Sequence, residues 1–273
     1  MTRIVAGAGA EMRIAMRNRW VAVAVVMMVL FALVLSAAGS APTGQIGADK
    51  LSVTVASLTS LAVYLVPLLA LLMSFDAVAG EIERGTLPLV LTYPVSRGEI
   101  LAGKFLAHLA VLGLALAAGY GVAAVAAFAF DPGAAAGVPA LARLFLTSLL
   151  LGAVFLGVGY AVSALARRPG SAAGVAIGLW LVVVVLYDLG LLAAIVADGG
   201  GAFTSRVFPW LLLANPADAF RLYNLAASEA AGAVAGVAGA AQTIPPGWAL
   251  SSLLFWVVGG FTLAILAFRR VMP

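Results

Sequence analysis

The chain has 273 residues, of which 64% are hydrophobic and only 10% charged, with a formal charge of +4. Soluble domains carry roughly 25% charged residues, so the composition excludes a water-soluble protein and implies an integral membrane one. There is no cysteine and a single histidine, His108, which excludes disulfides, thiolate metal sites and a multi-histidine site within one chain.

Residues 4–19 set Glu11, Arg13 and Arg17 among Met12, Ile14 and Met16. That mixture predicts an amphipathic helix in the inner interface; a plain basic anchor is the simpler alternative. Six apolar runs then approach or exceed the roughly 20 residues of a spanning helix: about 20–36, 53–74, 105–130, 144–166, 171–196 and 248–268. The expected fold is all-α with six transmembrane helices. A cleaved signal peptide ending near 36–41 is the competing reading of the first run, disfavoured by its long basic lead. An even number of spans puts both termini on one side. Arg3, Arg13, Arg17, Arg19, Arg84, Arg97, Lys104, Arg167, Arg168, Arg269 and Arg270 then share that side, against Lys50, Arg143, Arg206 and Arg221 on the other. The positive-inside bias makes the first side cytoplasmic.

The cytoplasmic segment 76–97 gathers Asp76, Glu81, Glu83, Arg84 and Arg97 in a chain otherwise poor in charge. It predicts a short helix ending near Gly85, then the apolar stretch 87–91, a shape suited to docking in a groove of a soluble partner. A solvated loop is the plainer alternative. Beyond it, residues 98–105 read G-x-x-x-x-G-K-F. This is not a phosphate-binding loop: Phe105 stands where Ser or Thr would hold Mg²⁺, and no strand leads in. Ser96 and Glu99 instead form a capping box that makes Arg97 onward helical. A chain without nucleotide motifs must borrow any ATP-driven motion.

The outer segment 197–247 contains an apolar patch with Phe208 and Trp210, then a helix start at Asn215 (N-cap), Pro216 (N1) and Asp218 (N3). The stretch 219–240 is long enough to span, but a charge such as Arg221 or Glu229 costs about 2–3 kcal/mol near a helix centre. It is read as an outer-face helix, and Phe208, Trp210, Asn215, Asp218 and Arg221 as candidate contacts for a periplasmic partner.

Glu81, Gly85, Thr86, Leu87, Leu91, Pro94, Ser96 and Arg97 follow the pattern E-x-x-x-G-T-L-x-x-L-L-x-x-P-x-S-R, with Val90 in place of a leucine and Pro88 where an ordinary helix residue stands. This resembles the ABC-2 family of ABC-transporter permeases, which are type V-like. The longer string 75–108, with 12–20 and 215–225, more narrowly resembles permeases that serve nitrous oxide reductase maturation. The resemblance implies that 76–97 is a coupling segment, with Asp76, Glu81, Glu83, Arg84, Gly85, Thr86 and Arg97 facing a separate cytosolic ATPase that binds ATP and Mg²⁺. It also implies no cofactor in this chain, a homodimer in the cytoplasmic (inner) membrane of a prokaryote, a periplasmic partner, and a role in assembling copper–sulfur centres. Nucleic acid is not an expected partner. Alternatives are an ABC-2 exporter of lipid or drug and an ion-coupled secondary transporter; the latter calls for ionisable residues at the midplane.

Asp188 is such an ionisable residue, but it is expected near the outer interface as a hydrated acid beside Tyr187. His108 is expected to pack or hydrogen-bond near the inner interface. Gly170, Gly174 and Gly178 form a stripe that admits a close neighbour, either another span of the same chain, the preferred reading, or a dimer mate. Pro67 is expected to kink its span. Met12, Met16, Met27, Met28 and Met73 are too scattered for a copper path.

Overall fold

The computed structural model describes residues 9, 12, 26–31, 33, 34, 50–92, 94–166, 168–226 and 244–271. The expected helix at 4–19, much of the run at 20–36 and the stretch 227–243 lie outside the described residues. Residues 26–31 are helical, with Met28 buried and Met27 exposed, so the adjacent methionines do point apart.

Among the described residues from Lys50 onward there are ten α-helices. Helix α1 (Lys50–Ser74) runs unbroken through Pro67. Two short helices follow, α2 (Ala79–Glu83) and α3 (Leu87–Leu91). Helix α4 (Arg97–Phe130) begins at the predicted capping box: the Ser96 hydroxyl accepts from Glu99 N, and the Glu99 carboxylate accepts from Ser96 N. A 3₁₀ segment (Pro132–Gly137) leads to α5 (Val138–Ala166). Helices α6 (Pro169–Trp180) and α7 (Tyr187–Asp198) form one rod joined by a π-helical stretch, Leu181–Leu186. Then come α8 (Phe208–Ala214), α9 (Pro216–Ala226) and α10 (Pro246–Arg269). Among the described residues, five helices are long and apolar enough to cross a membrane: α1 with its extension to Glu83, α4, α5 with its 3₁₀ lead, the α6–α7 rod, and α10.

Helix α5 is the hub, packed against α1 and α10. Small residues let the backbones close in. A Cβ on Gly157 would stand 2.7 Å from the Gly260 carbonyl carbon, and one on Gly260 3.0 Å from Val154 O. The α6–α7 rod is the opposite case: little of it is buried, and Gly170, Gly174 and Gly178 have open space around them among the described residues. The stripe does not serve packing within the described chain, which corrects the preferred reading.

Helices α8 and α9 form a hairpin that enters the bundle rather than lying on its outer face. Ser252 donates to Leu213 O at 2.5 Å and Trp256 Nε1 to Ala214 O at 3.0 Å. Along α10 these residues stand about 9 and 15 Å from Pro246. A 24-residue helix is about 36 Å long, so any layer about 30 Å thick laid on it covers both points. The hairpin tip therefore sits at hydrocarbon depth, where backbone carbonyls need protein donors. They have them: besides Ser252 and Trp256, Tyr187 donates to Leu211 O. In return, Asn215 Nδ2 donates to Val183 O at 2.7 Å, inside the π stretch, where the i→i+5 register disturbs the regular bonding ladder.

Candidate functional site

The segment between α1 and α4 is a two-helix handle. The N-terminus of α2 is held by α5, whose Ser163 hydroxyl accepts from Val78 N and Ala79 N at 3.0 and 2.9 Å. Gly85, at φ +66°, closes the helix in the left-handed region. Thr86 N and its hydroxyl then donate to Glu81 O. Pro88 occupies the second position of α3, where a proline is tolerated, so the apolar stretch 87–91 forms a separate short helix. Leu87 is buried, while Glu83, Arg84, Gly85, Pro88 and Leu89 are exposed, Leu89 at 65%.

The charged residues of the handle divide into two groups. Asp76 and Arg84 form an exposed pair at 3.5 Å, worth at most about 1 kcal/mol. Gly80 makes room for it, since a Cβ there would meet both side chains. Glu81 turns inward. Its Oε1 lies 2.7 Å from Lys104 Nζ on α4, with side chains only 12% and 5% exposed. Removing one member of a buried pair costs about 3–5 kcal/mol, several times the exposed pair. Arg97 is also engaged within the chain: Nη1 donates to the carbonyls of Phe268, Arg269 and Val271 at 2.8, 3.2 and 2.6 Å, and the guanidinium sits over the Phe268 ring. It caps the C-terminus of α10, where a cation complements the helix dipole. Of the seven candidate coupling residues, the structure leaves Asp76, Glu83, Arg84 and Gly85 toward solvent and turns Glu81 and Arg97 inward. Thr86 is half-buried.

On the other side of the bundle, Arg221 of α9 binds Asp188 of α7 with both guanidinium nitrogens, at 2.9 and 2.8 Å. Asp218 Oδ1 lies 3.3 Å from the same group, and Tyr64 of α1 donates to Asp188 Oδ2 at 3.2 Å. Asp188 is thus an ion-paired residue and not a hydrated acid; the free acid was expected because its partner is 33 residues away in sequence. The cluster borders a cavity of about 440 Å³ walled by Val185, Leu189, Leu192, Ile195, Phe208 and Leu212. Asn215 caps α9 as its sequence predicts, accepting from Ala217 N at 2.9 Å. Phe208, Asn215, Asp218 and Arg221 are spent on internal packing and bonding, which corrects their assignment as partner contacts. Only Trp210, 60% exposed and edge-on to Trp248, keeps an outward surface. Deeper along α4 from the handle, His108 Nδ1 and Tyr160 Oη share a 2.6 Å hydrogen bond. Among the described residues, no three His, Asp or Glu side chains gather as a metal site.

Two features had no place in the sequence reading. One is the pairing of Lys104, read there only as a charge of the cytoplasmic side, although a lysine seven residues into a span-leading helix calls for a carboxylate, and Glu81 and Glu83 were at hand. The other is the Thr147–Asn224 pair, buried between α5 and α9 at 2.9 Å, for which the sequence offers no local signal.

The sequence matches the family described as ABC-2 family transporter protein over residues 6–271. The chain belongs to the ABC-2 transporter family. Within it, the chain is 44% identical over 266 residues to the "Probable ABC transporter permease protein NosY" of Pseudomonas aeruginosa, covering 95% of each. It is 41% identical over 264 residues to the protein of the same name from Stutzerimonas stutzeri, again covering 95% of each. It is an ABC-2 permease subunit of the NosY type, a multi-pass membrane protein in a family named for transport.

Proposed function

We propose that this permease is the membrane half of an ATP-driven machine that delivers cargo, or remodels a periplasmic partner, during assembly of the copper–sulfur centres of nitrous oxide reductase. Two copies of the chain, with six spans each and both termini cytoplasmic, pair in the inner membrane. Two NosF-like ATPases bind ATP and Mg²⁺ below them, and a NosD-like subunit sits above. The chain itself binds no cofactor.

The observation that carries the reading is the handle. Helices α2 and α3 are anchored by buried groups yet offer Glu83, Arg84, Pro88 and Leu89 outward. An exposed leucine beside charges makes a contact that gains from burial against a partner. The glycine face of the α6–α7 rod, open among the described residues, supports the dimer, because a second copy can approach it closely. The test is complementation of cells lacking the permease gene. The wild-type gene restores the spectroscopic signature of the reductase's copper–sulfur centre, and Leu89→Glu does not. A fully loaded reductase without the permease would refute the reading.

One observation favours a second cargo class. The 440 Å³ cavity is mostly apolar with a few polar groups at one end, the make-up of a small-molecule pocket, which suits an amphiphile such as a lipid or drug. An ion-coupled transporter fits less well, because Asp188 is already matched by Arg221.

A further inference from the structure

Lys104 is 4% exposed and begins the third turn of α4, with its ammonium 2.7 Å from Glu81 Oε1. Among the described residues, the other groups that tie α2 to the bundle, the packed Ile82 included, differ in kind. The Ser163 hydroxyl holds two N–H groups, and Val78 and Ala79 are packed apolar residues. Those ties can slip, exchanging a neutral hydrogen bond for another or for water. The ion pair cannot, because parting it leaves the Glu81 carboxylate buried without its cation. A displaced α2 therefore carries Lys104 with it.

We propose that Lys104 is the positioning residue that passes motion of the handle to the third span, α4, with the Glu81–Lys104 pair acting as a rigid link and not as a docking group. The inference rests on reading α2–α3 as the ATPase handle. The second Glu81 oxygen, Oε2, is buried without a hydrogen-bond partner among the described residues. The carboxylate can thus rock from one oxygen to the other under the ammonium. The link stays closed while α2 turns, so it transmits displacement without fixing one angle.

Hydrogen exchange in the reconstituted complex with its ATPase tests this, read on peptides covering 76–91 and 97–108 with and without ATP–Mg²⁺. In the wild type both peptides respond to nucleotide. In Glu81→Gln/Lys104→Met, which removes the link without stranding a buried charge, the ATPase still binds and 76–91 still responds, while the response of 97–108 falls about tenfold. Lys104→Arg and the exchanged pair Glu81→Lys/Lys104→Glu keep a buried pair and restore the response, which excludes a fold defect as the cause. The link is overturned if 97–108 responds in Glu81→Gln/Lys104→Met as in the wild type, if the exchanged pair stays silent, or if Glu81→Gln/Lys104→Met loses the ATPase. Leu89→Glu separates the two claims: it releases the ATPase and silences both peptides, and if both still respond, the docking reading itself fails.

Discussion

Replacing Arg221 with Met leaves Asp188 and Asp218 without their shared cation, beside a hairpin tip that lies at hydrocarbon depth. Both Asp188 oxygens are bonded by this one guanidinium, at 2.9 and 2.8 Å, so neither keeps a charged partner. Breaking a buried pair from one side costs about 3–5 kcal/mol. If most of that falls on the hairpin, its opening equilibrium rises by about a hundredfold or more, at about 1.4 kcal/mol per decade. The natural chain has no cysteine, so Ala217→Cys, at a fully buried site on α9, gives a unique reporter. Labelling by a membrane-impermeant maleimide should accelerate by that factor in the Arg221→Met background. Asp188→Asn/Asp218→Asn/Arg221→Met removes all three charges and should recover most of the protection, since an uncharged site lacks the stranded carboxylates. Equal labelling of wild type and Arg221→Met would refute the clamp, as would a triple variant no better protected than the single one.

Glycine substitutions should divide by where space is absent. Gly157→Ala forces α5 off α10 and should cost at least about 1–3 kcal/mol, visible as a lowered melting temperature in detergent, whereas Gly174→Leu should leave melting unchanged and weaken self-association by size-exclusion light scattering. Ser163→Ala strips the acceptor from Val78 N and Ala79 N and should raise hydrogen exchange at these two amides, with a loss of about 1–2 kcal/mol confined to α2. Arg97→Ala frees three carbonyls at the end of α10 and should make the residues after Phe268 susceptible to carboxypeptidase while ATPase binding persists.

The sequence makes legible what short-range rules control. Ser96 and Glu99 announce the start of α4, and Asn215 and Pro216 that of α9, because a cap is written within four residues. The apolar runs mark five long helices, because lipid demands about 20 residues in a row. Side-chain direction was another matter. Glu81 and Glu83 are two residues apart on one short helix, and only the fold decides which meets Lys104, 23 residues later. Arg97 reads as a contact residue until the C-terminus of α10, some 170 residues away, arrives beneath it. Residues 203–226 look like an outer segment because Arg221 and Asp218 are charged; partners on α7 and the donors of α10 are what let the hairpin enter. At Glu81, Arg97, Asp188 and Arg221 the deciding partner is distant in sequence, which composition cannot announce.

The most direct test of the central claim follows the single cysteine at Ala217→Cys in proteoliposomes, with and without the ATPase and ATP–Mg²⁺. A permease that is moved through its handle changes its labelling rate only when ATPase and nucleotide are both present, and Leu89→Glu abolishes the change. A response to ATP in the permease alone, or none in the complete complex that hydrolyses ATP, would contradict it.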